Sequence, residues 1–356
     1  MSMDLRKYVD SGRLPGGVTL IARGDDVEVR TAGPVDRDFL FRIASLTKPV
    51  VAAAVMLLVE DGRIALDNPI GKWLPELAGP KVVRTPQSPP DDVVPAKRPI
   101  TVFDLLTFRA GWGFPDDFTL PAVAPLLAMS HPADMHAAPP PDEWLTTLAD
   151  VPLLRQPGEA WLYNTCSDIQ GVLIARVCGQ SLPDFLAERV FEPLGMTDTG
   201  FTVPAAKRDR FTTAYGPDLQ VIDPPDGSWS RMPAFPAGAG GLVSTADDLC
   251  RFGRALLGDS LLARESVKLM TTDHLTADQR KASELFLEGQ GWGFGGSVDV
   301  DTRAPWNVPG RYGWIGGTGT AAHIIPSTGT IAILLTQVMM SSPTPPEIMR
   351  DFWRSI

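Results

Sequence analysis

The apolar and polar positions of the chain fall into three blocks. Residues 17–23 and 27–32 are short runs rich in β-branched side chains, separated by Gly24-Asp25-Asp26, a combination that predicts a hairpin. Towards the other end, residues 292–298, 311–315, 320–325 and 330–337 read as further strands, with Pro326-Ser327-Thr328-Gly329 as a tight turn. The hairpin is expected to complete their antiparallel sheet. Between the blocks, residues 50–61, 102–106, 166–177, 182–190 and 246–257 have helical character and are bounded by Gly or Pro. The longest apolar run, 50–59, ends on Glu60-Asp61-Gly62. It is about half of the ~20 residues that a membrane span needs, so a buried helix is expected. Residues 79–99 and 115–141 are rich in Pro, Asp and Ala with weak periodicity and read as long surface loops, either solvated insertions or walls of a cleft.

Composition narrows the function. A chain of 356 residues, 44% hydrophobic, can bury a large core. Its net charge of −10 repels polyphosphate backbones, so no nucleic-acid partner is expected. The start, Met-Ser-Met-Asp-Leu-Arg-Lys, lacks the charged and then apolar run of an export signal, which sets the expectation of a cytoplasmic protein without a membrane anchor. Cys166, Cys178 and Cys250 form an odd set without Cys-x-x-Cys spacing, against a disulfide framework or zinc site and in keeping with a reducing compartment. His131, His136, His274 and His323 show no metal-ligand spacing and are given no role; neither a metal nor another cofactor is expected. Gly-x-Ser-x-Gly and the glycine-rich nucleotide-binding signatures are absent.

One short constellation carries chemistry. Ser45-Leu46-Thr47-Lys48 is the only Ser-x-x-Lys in the chain and stands directly before the 50–59 run, with Pro49 in the first turn, as at a helix start. Three residues apart on a helix, the hydroxyl and amine share one face. A lysine packed against a buried helix loses solvation, which lowers its pKa towards base strength. By chance, a chain of this composition holds roughly 0.4 such pairs, and Ser45 could equally cap the helix, so context must decide. Tyr163 follows a Pro-Gly turn just before a helical stretch, where a phenol could relay a proton or pack as an ordinary aromatic. Gly313-Trp314-Ile315-Gly316-Gly317-Thr318-Gly319-Thr320 joins two expected strands; it could bring a backbone N–H close to a ligand or form a bulge.

Taken in order, Ser45-x-x-Lys48, Tyr163 and Trp314-Ile315-Gly316 resemble the three motifs of serine β-lactamases, penicillin-binding proteins and family VIII carboxylesterases. The likeness runs along nearly the whole chain, through Phe41-Arg42-Ile43-Ala44, residues 100–107, Pro193-Leu194-Gly195-Met196 and Ala239-Gly240-Gly241-Leu242. It implies an α/β (α+β) fold of the β-lactamase/transpeptidase kind. An antiparallel sheet flanked by helices would come from both chain ends, residues 1–63 and 235–356, with a mostly helical domain, 64–234, inserted between them. It further implies Ser45 as acylated nucleophile, Lys48 as its base and Tyr163 as the group that protonates the leaving alcohol and activates water. The backbone N–H groups of Ser45 and Gly317 would form the oxyanion hole. Which of Lys48 and Tyr163 takes the serine proton first stays open.

Two departures bear on substrate. Trp314-Ile315-Gly316 stands where lactamases generally carry Lys-Thr-Gly or His-Thr-Gly, so an anionic β-lactam loses its cationic anchor. Trp-x-Gly resembles the esterase branch and offers an apolar wall, to which Trp112, Phe114, Trp292 and Phe294 are expected to contribute. Thr165 replaces the Asn of a Tyr-x-Asn pattern, while Tyr163 to Asp168 fits the Tyr-x-x-x-x-Asp spacing of some esterases. The expected activity is hydrolysis of short- to medium-chain carboxylic esters, with small-molecule esters as the partners. A promiscuous β-lactam hydrolase, an acyltransferase to an alcohol and an inactive binding protein are the alternatives.

Overall fold

The computed structural model describes residues 3–130 and 136–356. His131 and part of the second Pro-rich stretch lie outside them. Among the described residues the main sheet has seven strands: β1 (Gly17–Arg23), β2 (Asp26–Ala32), β3 (Gly291–Trp292), β4 (Ser297–Val298), β5 (Tyr312–Gly316), β6 (Thr320–Ile325) and β7 (Thr330–Thr336). They lie in the order β2-β1-β7-β6-β5-β4-β3, every pairing antiparallel. β1 pairs with β7 from Gly17 opposite Thr336 to Arg23 opposite Thr330, so the N-terminal hairpin does complete the C-terminal sheet. β7, Thr-Ile-Ala-Ile-Leu-Leu-Thr, is buried along its full length, as a strand covered on both faces must be. β2 is an exposed edge, and its Asp26, Glu28 and Arg30 are the charges that keep such an edge from recruiting another strand.

Helices occupy both faces. Five of them place the site: α1 (Thr47–Glu60), α2 (Val102–Leu106), α3 (Thr165–Cys178), α4 (Ala246–Leu257) and α5 (Glu347–Arg354). α4 packs on β1, β6 and β7, with Gly253 so close to Ile331 that a Cβ there would lie 3.0 Å from its side chain. His323 pairs with Ala332 and Ile324 with Ile331, so His323 points to the opposite face. There Trp353 of α5 meets it edge-on at 5.5 Å. α1 is apolar all round, twelve of its residues are buried, and it packs against α3, which makes it the central helix of the molecule. α2 starts on a capping box between Thr101 and Asp104, and Arg98 holds the same Asp104 at 2.6 Å. No helix among the described residues is long and apolar enough to cross a membrane.

Several local expectations need correction. Residues 292–298 are not one strand: β3 and β4 are separated by a turn at Gly295, φ +73°, where a Cβ would come within 2.6 Å of the Lys48 carbonyl. The close approach of this turn to α1 breaks the strand. Ser45 is not in the first turn of an α-helix but in a preceding 3₁₀ turn, Ala44–Leu46, with α1 beginning at Thr47. The helix expected over 182–190 is α-helical only over Leu182–Leu186 and continues as a π turn, Ala187–Phe191. The two long loops carry structure of their own, a hairpin pairing Lys81–Val83 with Val93–Pro95 and a helix, Val123–Met129. The weak periodicity of such short elements hides them.

Candidate active site

Ser45 is held from three sides. Before it, Phe41–Arg42 pairs with Val243–Ser244, and the Ile43 N–H donates to Leu242 O at 3.1 Å. Arg42 is buried: its guanidinium pairs with Asp223, donates to Thr212 O at 2.5 Å and lies 4.0 Å above the Phe211 ring. From the sheet, the Thr318 hydroxyl donates to Arg42 O (2.5 Å) and the Thr320 hydroxyl to Ile43 O (3.2 Å). Thr47 Oγ1 donates back to Ala44 O at 2.7 Å. These restraints hold Ala44 at φ +43°, a left-handed conformation worth about 1–3 kcal/mol of strain for a residue with a Cβ, and so aim Ser45 out of the helix start. On the far wall Asn164, φ +82°, makes the same kind of break directly after Tyr163 and before α3.

Four sequence-predicted residues converge. Lys48 Nζ donates to Ser45 Oγ at 2.8 Å and to Ala239 O at 2.6 Å. The Tyr163 hydroxyl donates to the same Ser45 Oγ at 2.9 Å, and Trp314 Nε1 donates to the Tyr163 oxygen at 2.7 Å. Lys48 Nζ lies 4.7 Å over the Tyr163 ring. Lys48 has no exposed surface, and burial drives its ammonium down to about 7, opposed by the carboxylate of Asp168. Burial pushes Asp168 up, against the N–H of Ala239, which it accepts at 2.9 Å, and against Lys48. Attraction within this pair is thus outweighed on both sides by desolvation. Tyr163 is pushed up to about 12 by burial, with the bonds to Ser45 and Trp314 pulling the other way.

The other expected residues are distributed unevenly. Gly317 is exposed, a Cβ on it would meet nothing within 4 Å, and its carbonyl accepts the Met340 N–H at 2.8 Å. Among the described residues, neither the Ser45 nor the Gly317 N–H is donated to a protein acceptor. Gly316 is tightly enclosed: a Cβ would fall 2.4 Å from Ile43 O. Ile315, next on β5, belongs to the opposite face from Trp314 and is buried. Phe114 is partly exposed and bridges backbone to backbone with Tyr163. Trp112, Trp292 and Phe294 have no exposed surface at all. They cannot wall an open cleft and act instead as its backing: Trp112 donates Nε1 to Val151 O (2.8 Å), Trp292 meets Trp314 edge-on at 4.8 Å, and Phe294 stacks on His274.

Sequence reasoning missed three contributors. Phe286 packs 4.8 Å from the Tyr163 ring and carries no local signal. Ala239 connects Lys48 to Asp168 through its carbonyl and N–H; the Ala-Gly-Gly run was its only trace. Asp168 was visible as a spacing from Tyr163 but not as the partner of Lys48.

A hydroxyl touched by a lysine of lowered basicity and by a phenol is the arrangement of acyl transfer through serine without histidine. The model of the Beta-lactamase family matches residues 4–349. Protein Rv1367c of Mycobacterium tuberculosis is 38% identical, over 94% of this chain and 88% of its own. Esterase EstB of Burkholderia gladioli is 31% identical over 93% of this chain and 88% of its own. Among solved structures, EstCE1, described as a hydrolase with promiscuous acyltransferase activity, superposes with a TM-score of 0.80 at 25% identity, covering 98% of this chain and 96% of that one. The sequence motifs, the sheet drawn from both chain ends and these matches agree: the chain belongs to the β-lactamase family, as a serine hydrolase of that fold.

Proposed function

We propose that the protein hydrolyses short- to medium-chain carboxylic esters through an acyl-enzyme on Ser45. Lys48, its ammonium form destabilised by burial, takes the proton as Ser45 Oγ attacks the ester carbonyl. The carbonyl oxygen becomes an oxyanion against the N–H groups of Ser45 and Gly317. Tyr163, still protonated because burial raises its pKa, gives its proton to the departing alkoxide as the C–O bond breaks, and the proton that Lys48 took from Ser45 then neutralises the phenolate, so that the acyl-enzyme is left with a neutral amine and a neutral phenol. Water then adds to the acyl carbonyl, its proton passing to the Lys48–Tyr163 pair, and the acid leaves with Ser45 reprotonated. The opposite shifts of the two groups, Lys48 down and Tyr163 up, support a reading with Lys48 as first base and Tyr163 as acid.

The observation that carries the ester reading is the Trp314 hydrogen bond. The indole N–H at the first position of the third motif is turned onto Tyr163, so this position supplies neither a cation nor a free donor to a substrate carboxylate. The likeness to EstB supports the same reading. Initial rates on p-nitrophenyl acetate through octanoate, beside nitrocefin, test it: ester turnover with little nitrocefin cleavage is expected, and the reverse ranking would overturn it. Transfer of the acyl group to an added alcohol is the second reading, favoured by the activity described for EstCE1, and ester product formed with an alcohol acceptor measures it.

A further inference from the structure

The start of the second Pro-rich stretch is tied to the elements that carry Tyr163. Just before it, the Phe114 N–H donates to Tyr163 O at 2.9 Å and the Tyr163 N–H to Phe114 O at 3.0 Å. Asp116 Oδ2 accepts the Leu285 N–H at 3.0 Å, one of the first-turn groups that the short helix Glu284–Leu287 cannot satisfy from within. Further on, Leu120 and Val123 are buried in one cluster with Leu162, the residue before Tyr163. Between these anchors stands Phe118, 37% exposed. An exposed phenylalanine by itself carries no meaning; what it touches does.

Phe118 stacks on Phe114 at 5.8 Å and meets Phe286 at 6.1 Å, and Phe286 packs 4.8 Å from the Tyr163 ring. The other rings against Tyr163, those of Phe108, Trp161 and Trp314, are buried, and their further ring contacts among the described residues are buried too. Phe286 is thus the neighbour through which ring surface continues from Tyr163 to solvent. The chemistry gives this line a direction. Four groups surround the reacting carbon: Ser45 Oγ, the oxyanion against the N–H groups of Ser45 and Gly317, the leaving oxygen and the acyl chain. Protonation by Tyr163 brings the leaving oxygen to the phenol, so the carbon skeleton of the alcohol starts beside the Tyr163 ring and the acyl chain departs another way. Ring faces and edges of this kind favour a further aromatic group over an alkyl chain.

Resting on the ester reading and on Tyr163 as leaving-group acid, we infer that Phe118 selects the alcohol half of the substrate, favouring esters of arylalkyl alcohols, and that Asp116 is the positioning residue that holds it against Phe286. The experiment places one phenyl group on either side of the ester bond. For the full-length protein, kcat/KM for 2-phenylethyl butyrate over ethyl butyrate gives the alcohol-side preference, and ethyl 4-phenylbutyrate over ethyl butyrate the acyl-side preference. The wild type should show an alcohol-side preference of at least about tenfold. Phe118→Ala should lower it by about fivefold or more, and Phe118→Trp, which keeps an aromatic face, should retain it. Asp116→Ala should lower it by about threefold or more, whereas Asp116→Asn, which keeps an acceptor for the Leu285 N–H, should retain it. The acyl-side preference should not follow these variants. A wild type without the alcohol-side preference, a preference indifferent to Phe118→Ala, an acyl-side preference that falls instead, or equal losses in Asp116→Ala and Asp116→Asn would overturn the inference while turnover still required Ser45. Ester turnover that survives in Ser45→Ala would overturn the ester reading itself, and this inference with it.

Discussion

Replacing Trp314 by Phe removes one hydrogen bond and little else. The indole packs against Trp292 at 4.8 Å and Tyr163 at 5.7 Å, contacts that a phenyl ring largely keeps, while its Nε1 donates to the Tyr163 oxygen at 2.7 Å. In the resting enzyme that bond joins two neutral groups and contributes about 0.5–1.5 kcal/mol; once Tyr163 has given up its proton the acceptor is a phenolate, and the bond rises to about 1.5–3 kcal/mol. The difference, about 1–2 kcal/mol, is felt only in the transition state and corresponds to a loss of about 5–30-fold in rate. The loss should depend on the leaving group. An alkyl alkoxide needs the Tyr163 proton; p-nitrophenolate leaves without it. The assay compares kcat/KM for ethyl butyrate and p-nitrophenyl butyrate, since this parameter reports acylation, in wild type and Trp314→Phe. The alkyl ester should lose about 5–30-fold and the nitrophenyl ester less than about threefold. Equal losses on both esters, or none on either, would refute the assignment of Tyr163 as leaving-group acid supported by Trp314.

Other substitutions probe the rest of the site. Ester turnover should rise with pH through the Lys48 ionisation near 7, because only the neutral amine accepts the serine proton. Asp168→Asn keeps an acceptor for the Ala239 N–H but removes the charge that raises the Lys48 pKa, so the acid limb should move to lower pH by roughly 1–2 units, for an interaction of about 1–3 kcal/mol at an effective dielectric near 20; a shift to higher pH contradicts the pairing. Gly316→Ala places a methyl 2.4 Å from Ile43 O, which pushes β5 away from the Ser45 turn; kcat should fall by about 10²-fold with the fold retained by circular dichroism, and near-wild-type turnover would refute that close packing. Arg42→Gln leaves Asp223 buried without its partner, and denaturant titration should show a loss of about 3–5 kcal/mol; a change below about 1 kcal/mol would show that the pair does not anchor this turn.

Local pattern carries some of these features and not others. β1 and β2, β5 to β7, α2 and α4 are legible because alternation, turn residues and caps such as Thr101 and Asp104 act over a few positions. The meeting of Lys48 with Ser45 is legible for the same reason, since three residues of helix geometry bring them together. Gly295 is different: it interrupts an expected strand because α1 lies against it, a constraint set about 250 residues away in the chain. Trp112, Trp292 and Phe294 have the right chemistry for a cleft wall, but which side of a packed layer they occupy depends on neighbours that sequence does not order. Asp168 comes to act on Lys48 only because the Ala239 backbone lies between them, so neither spacing nor composition reveals the pair.

The central claim is that ester cleavage passes through a covalent acyl group on Ser45. Rapid acid quench of the protein during turnover of p-nitrophenyl butyrate, followed by intact and peptide mass spectrometry, measures this directly. The account predicts one butyryl group per chain, located on the peptide containing Ser45, and no such adduct or turnover in Ser45→Ala. Turnover persisting in that variant, or acylation at another residue, would contradict it.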